Sequence, residues 1–161
     1  MIRPARAADA PALAALLNHW ILNTAVTFNP VPKTEGDILD MILAKAGDGH
    51  ACLVAEDAGI VVGQASYGQF RGGTGYRTCM EHSISLLPGT PRKGLGRALL
   101  TAIEDHARAR GAHQMIAGVS GENPDGRAFH VRMGYAHIAT VPQAGFKFGR
   151  YIDLVLMQKF L

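Results

Sequence analysis

Glu81 has the clearest chemical opportunity in the chain. It lies in Cys79-Met80-Glu81-His82-Ser83-Ile84-Ser85-Leu86. Period-two alternation puts Cys79, Glu81, Ser83 and Ser85 on one face of a strand, and Met80, Ile84 and Leu86 on the other. A polar stripe on a central strand belongs beside a wet cleft. There a carboxylate can take a proton from an amine, directly or through water; on a plain sheet face it would form an ordinary ion pair. Downstream, Arg92-Lys93-Gly94-Leu95-Gly96-Arg97 is a glycine turn that opens into a helix. The first turn of a helix has N–H groups without internal partners and the positive end of the dipole. Gly94 and Gly96 carry no Cβ, so a bulky anion can approach the backbone. The ligand this suits is a phosphate or pyrophosphate. A regular strand turns His82 away from Glu81 as a hydrogen-bonded core histidine. A bulge there would instead turn it into the site.

These groups need a strand–turn–helix unit to hold them. Met80 to Leu86 reads as the strand. Leu95, Ala98, Leu99, Ala102 and Ile103 form one apolar stripe at helical period, and Gly111 stops the helix. Upstream, Asp9 resembles an N-cap before a helix with Leu13, Leu16, Leu17 and Trp20 on its face. Asn23 to Pro32 is a loop. Thr34 and Asp37 form a capping box for a second helix, buried through Ile38, Met41 and Ile42. Ala51 to Glu56 and Ile60 to Phe70 read as strands, followed by the glycine loop Arg71 to Arg77. After the main helix come a strand from Gln114 to Val119 and a short helix capped by Asn123-Pro124 that closes at Met133-Gly134. The last strands are Tyr135 to Val141 and Tyr151 to Phe160, joined by a loop through Gly149. Two helices, three strands, helix, strand, helix and two strands predict an α/β (α+β) layer fold, with a mixed, mostly antiparallel sheet flanked by helices.

The 161 residues suit a single domain spanning 1–161, and 48% hydrophobic against 18% charged residues fits a compact globule. A net charge of +3 favours anionic ligands but does not argue for nucleic acid. No lysine run or aromatic platform supports DNA or RNA as a partner. No apolar stretch is long enough for a bilayer, and no secretory h-region follows Met1. Cys52 and Cys79 read as buried thiols in a reducing, cytoplasmic setting.

The chain resembles the GCN5-related N-acetyltransferase (GNAT) superfamily over nearly its whole length. The resemblance is carried by the strand–glycine turn–helix and the element order. It narrows to the phosphinothricin or methionine sulfoximine acetyltransferase branch on Glu81-His82-Ser83, on Asn123 with Phe129-His130 and Gly134-Tyr135, and on Lys147-Phe148-Gly149-Arg150-Tyr151-Ile152-Asp153-Leu154. It implies acetyl-CoA as co-substrate, no metal, a small-molecule amine acceptor and a homodimer. Arg92, Lys93, Gly94, Leu95, Gly96, Arg97 and Ala98 would cradle the pyrophosphate. Ser85 and Leu86 would supply a backbone N–H for the oxyanion, and Asn123 would contact the cofactor's arm. Glu81 would be the base. His130 stands where many members carry a tyrosine held to protonate the thiolate; its ordinary pKa suits acid or base work, although a helix histidine can equally cap or pack. Phe28, Arg71, Tyr76, Arg77, His82 and Lys147 would form the acceptor site. An arginine can grip a carboxylate or phosphinate by two parallel hydrogen bonds, although a loop arginine is as readily solvated, and Lys147 could mark a dimer contact instead. Pro91 departs from the motif's usual Gln or Arg, and as a proline it donates no backbone hydrogen bond.

Transfer to the α-amino group of a glutamate-like amino acid in a ternary complex is therefore the expected activity. No histidine is placed to activate Cys79 for an acetyl-cysteine route. The alternatives are a protein N-terminal acetyltransferase and a non-catalytic acyl-CoA-binding module.

Overall fold

The computed structural model describes residues 1–90 and 94–161. In chain order the elements are β1 (Ile2–Pro4), α1 (Ala10–Asn23), α2 (Glu35–Gly47), β2 (Cys52–Asp57), β3 (Ile60–Gln69), β4 (Cys79–Leu86), α3 (Leu95–Ala109), β5 (Gln114–Ser120), α4 (Pro124–Arg132), β6 (Ala136–Lys147) and β7 (Arg150–Phe160). The strands form one sheet in the order β1-β2-β3-β4-β5-β7-β6. All its pairings are antiparallel except the parallel β4–β5 contact. The fold is a single-layer α/β sheet covered by helices on both faces, as the element order predicts.

Two cores hold the layers. On one face Leu99, Leu100, Ile103 and Ala107 of α3 are fully buried against Tyr67, Met80 and Met115. On the other, Leu13 and Ala14 of α1 and Ile38 of α2 close over Val54 and Val61. Each large aliphatic side chain so buried contributes about 1.5–3 kcal/mol. The α3 stripe is rotated from its predicted position. Ala98 is exposed, whereas Leu100 and Glu104 are buried. Glu104 can be inside because its carboxylate accepts from the Tyr135 hydroxyl at 2.9 Å and the Lys159 ammonium at 2.6 Å.

Three local readings change. Asp9 precedes α1 but makes no side-chain cap there; its carboxylate binds the Arg3 guanidinium and the Arg6 N–H instead. That pairing anchors β1, a strand too short to show a period. The loop expected between the last two strands is strand on both sides. β6 runs to Lys147 and β7 starts at Arg150. The tight turn between them uses Phe148 at φ 51° and Gly149 at φ 74°, the left-handed pair a two-residue hairpin requires. A register shift between Val141 and Gly145 accommodates Gln143 at φ 55°.

Candidate active site

The site begins where two strands part. β4 and β5 pair from Cys79/Gln114 to His82/Ala117 and then cease to pair. β4 continues along β3 as far as Leu86/Gly63, and β5 continues along β7 as far as Ser120/Leu154. The facing edges of 83–86 and 118–120 are therefore left without a strand between them. A cleft of about 1330 Å³ runs through this opening, lined among others by Glu81, Ser83, Ser85, Leu86, Gly96 and His130.

Strand parity decides which backbone groups look into it. Leu87 N–H donates to Val62 at 2.8 Å and Cys79 C=O accepts from Phe70 at 2.9 Å. Odd-numbered residues of β4 therefore turn their backbone to β3, and even-numbered ones face the opening. Of the predicted oxyanion segment, Leu86 N–H points into the cleft and Ser85 N–H points to β3. Leu86 C=O, on the same side, accepts the Trp20 indole N–H at 2.9 Å. Trp20 reads in sequence only as a helix-face residue, so this contact across 66 positions was not foreseeable.

Glu81 faces the α2 side, directly opposite Gly68 of β3. Its Oε1 lies 2.9 Å from where a Cβ on Gly118 would stand; Gly118 is the room the carboxylate needs. Burial pushes the Glu81 carboxyl above its ordinary range, and the Lys45 ammonium draws it partly back. A glycine inside a strand pattern signals such a close approach, so Gly118 was findable. Lys45 carried no such signal.

His82 takes the opposite face, with no register shift along the β3–β4 ladder. The strand is regular here, so His82 is the buried core histidine of the first reading; it nevertheless borders the cleft beside His130. The two imidazoles stack with centroids 5.1 Å apart and their Nε2 atoms 3.2 Å apart. His130 Nδ1 is 2.7 Å from Gly126 O. A carbonyl only accepts, so His130 Nδ1 carries a hydrogen. With both rings neutral, His82 Nε2–H then donates to His130 Nε2. His82 Nδ1 is left as a bare lone pair, and it is indeed buried without a partner. Burial holds both rings below the ordinary histidine range, His82 at about 3, with His130 adding to the effect there. Tyr135 packs edge-on against both rings and is tied back to Glu104.

At the other end of the cleft Gly94 holds φ 76° as the N-cap of α3, a conformation that favours glycine. The first turn leaves the N–H groups of Leu95, Gly96 and Arg97 free of intrahelical bonds. Ala98 N–H is already bonded to Gly94 O at 2.9 Å, so the predicted cradle ends one residue earlier. Gly96 allows a close packing: a Cβ there would stand 3.4 Å from Leu86 and 3.5 Å from Phe129. Arg92, Lys93 and the Pro91 departure lie outside the described residues. Asn123 caps α4 by accepting from Gly126 N–H at 2.9 Å, and its side chain also borders the cleft.

The predicted acceptor residues divide. Phe28 lines the cleft and lies over Gly145, where a Cβ would meet its ring at 2.5 Å. Lys147 is 2% exposed, and its ammonium donates to Thr24 O at 2.6 Å and Thr27 O at 2.8 Å. It pins the loop that carries Phe28 rather than facing the cleft. Arg71, Tyr76 and Arg77 are exposed on the loop before β4 and do not line the cleft. Arg77 borders a second cavity next to it. Among the described residues no His, Cys, Asp and Glu cluster could hold a metal ion, and no helix is long and apolar enough to cross a membrane.

The arrangement is a carboxylate, a backbone N–H and a shared imidazole proton around an opening that leads to a helix N-terminus. Comparison with known proteins gives the same direction. An L-methionine sulfoximine/L-methionine sulfone acetyltransferase of Salmonella typhimurium is 39% identical over 98% of this chain and 92% of its own length. A solved structure described as a ribosomal-protein-alanine N-acetyltransferase from Brucella melitensis superposes with a TM-score of 0.96 at 38% identity, covering 100% of this chain and 99% of that one. A phosphinothricin acetyltransferase from Sinorhizobium meliloti in complex with AcCoA gives a TM-score of 0.95 at 34% identity, covering 100% and 88%. The model of the acetyltransferase (GNAT) family matches residues 14–135, and the chain belongs to that family.

Proposed function

We propose that this chain transfers the acetyl group of acetyl-CoA to the α-amino group of a small, glutamate-like amino acid of the phosphinothricin or methionine sulfoximine type. The observation that carries the reading is the position of Glu81 where the strands begin to part, two residues along the same face from Ser83 and five residues along β4 from Leu86, both of which line the same cleft. The residues present fit the co-substrate. The amides of Leu95, Gly96 and Arg97, free of intrahelical bonds, suit a pyrophosphate, and the edges of β4 and β5 that do not pair with each other suit an extended amide-bearing arm.

Acetyl-CoA when bound supplies a thioester carbonyl and a thiolate leaving group. Glu81 takes the proton of the acceptor's ammonium. Its raised pKa brings it nearer the operating pH and makes it a stronger base than an exposed carboxylate. Leu86 N–H, fixed by the ladder on one side of β4 and by Trp20 at its own carbonyl, donates to the oxygen that gains charge; such a donor needs no reorganisation. Of the imidazole protons, His130 Nδ1–H is held by Gly126. The hydrogen between the two Nε2 atoms belongs to His82, which donates it to His130, and a neutral ring that gave it up would become an imidazolate; we therefore assign the pair a positioning role beside the cleft, and the departing sulfur takes the proton that Glu81 accepted from the ammonium. Cys79 is held as a thiol by burial and by the neighbouring Glu81 charge, which favours direct transfer in a ternary complex.

Phe28 forms a wall of the acceptor pocket. Of the loop residues Arg71, Tyr76 and Arg77 that lead into the Glu81 strand, Arg77 borders the cavity next to the cleft, and we assign the acceptor's acid group to it. The exposed Ile138, Val141, Phe146, Phe148 and Tyr151 on the β6–β7 hairpin support a homodimer, and we place the enzyme in the cytoplasm.

The test follows release of free thiol from acetyl-CoA with L-methionine sulfoximine and with phosphinothricin. Saturable release with either amine supports the reading. Release with neither, together with acetylation of peptides beginning with alanine, would replace it by an N-terminal acetyltransferase.

A further inference from the structure

A second cavity of about 720 Å³ lies where β3 ends and β4 begins, between the C-terminal ends of α2 and α3. Lys45, Arg77 and Arg110 border it, with His50 on its wall and Asp48 as the carboxylate among its lining residues. Among the described residues, none of the three cations has an ion-pair partner. His50 Nδ1 is buried with no hydrogen-bond partner. It lies 3.9 Å from the point a Cβ on Gly68 would occupy, and the Lys45 ammonium lies 2.7 Å from the same point. The Arg110 guanidinium fills the space beside Gly49, at φ 72°. Tyr67 closes the wall, its hydroxyl 2.9 Å from His106 Nδ1. Like charges converging on a concave surface beside an unsatisfied ring nitrogen are the arrangement that a small anion relieves.

We propose that this cavity is an oxyanion site, separate from the acetyl-donor cleft and coupled to it through Lys45. Lys45, Tyr67, Gly68 and Gln69 border both spaces. Gly68, under the Lys45 ammonium, is the residue directly opposite Glu81. Lys45 therefore acts on the base from one cavity while lining the other, and an anion that engages it weakens its hold on Glu81. The ligand is a phosphate- or carboxylate-bearing group. It is either a free anion or the acid group of the acceptor, the latter resting on the function proposed above.

Titration calorimetry of inorganic phosphate into protein saturated with CoA tests the site, because CoA blocks the α3 cradle. One saturable phosphate per chain is expected. It should weaken at least tenfold in Lys45→Met and, separately, in Arg110→Met, with CoA affinity unchanged within twofold. No binding to the parent, or equal binding in both variants, overturns the site. In steady-state assays, phosphate competing with the acceptor identifies the acceptor's acid group as the natural occupant. A change in kcat without competition identifies a free anion. Phosphate that binds yet leaves both kcat and KM unmoved overturns the coupling through Lys45.

Discussion

The Glu81 carboxylate occupies the space that a side chain on Gly118 would fill, with Oε1 2.9 Å from the missing Cβ. The contact crosses from β4 to β5 one residue beyond their last pair, His82/Ala117. The carboxylate we propose as base is therefore aimed by an absence on the neighbouring strand. Gly118→Ala would push the flexible end of Glu81 and leave the backbone in place. Stability should change by no more than about 0.5–1 kcal/mol, while kcat falls by roughly 10²-fold, the scale of a misplacement of about 1 Å. Thermal unfolding alongside steady-state kinetics checks both. An unaffected kcat would show that the carboxylate's position there is not used.

Glu81→Gln keeps the shape and removes the proposed base. Turnover should drop by about 10²–10⁴-fold with CoA affinity nearly unchanged, since the amides of the α3 N-terminus are remote from it. Thiol release and CoA titration separate the two effects. A parent protein that binds CoA but releases no thiol with any amine would indicate the acyl-CoA-binding module instead.

The buried histidine pair predicts acid sensitivity. His82 has its folded pKa depressed to about 3, against about 6.5 when unfolded. Between those values the unfolded chain binds more protons, so stability rises with pH and is lost as pH falls below 6.5. From pH 7 to pH 5 His82 alone should cost roughly 2 kcal/mol, and His130 acts in the same direction. Urea unfolding from pH 5 to 7 measures it, and His82→Gln should flatten the slope. A parent slope equal to that of the variant contradicts the neutral pair.

Lys147→Met should cost about 2 kcal/mol, because the Thr24 and Thr27 carbonyls lose their donor. It should also raise the acceptor KM through the freed Phe28 loop while the KM for acetyl-CoA stays constant. If Lys147 instead touched the acceptor directly, the KM effect would appear without the loss of stability.

The order of elements along the chain after β1, the glycine turn and the polar stripe of β4 were legible because each follows from local periodicity or turn chemistry. Glu81 on the face opposite His82 needed nothing more than alternation. What local pattern could not supply was long-range. The Trp20–Leu86 bond, the Lys147 pin and the approach of Lys45 to Glu81 join residues far apart in sequence. Glu104 stands outside the apolar stripe because a charged residue reads as surface until Tyr135 and Lys159 arrive from elsewhere to satisfy it. The tail of β6 looked like loop because an exposed edge strand carries no buried alternation, and its bulge at Gln143 broke the pattern further.

The most direct measurement is a crystal structure with CoA bound. The pyrophosphate should rest on the Leu95, Gly96 and Arg97 amides, and the sulfur should lie in the β4–β5 opening between Glu81 and the His82–His130 pair. A pantetheine arm running outside that opening, or a sulfur shielded from Glu81, would contradict the assignment of this site to acetyl transfer.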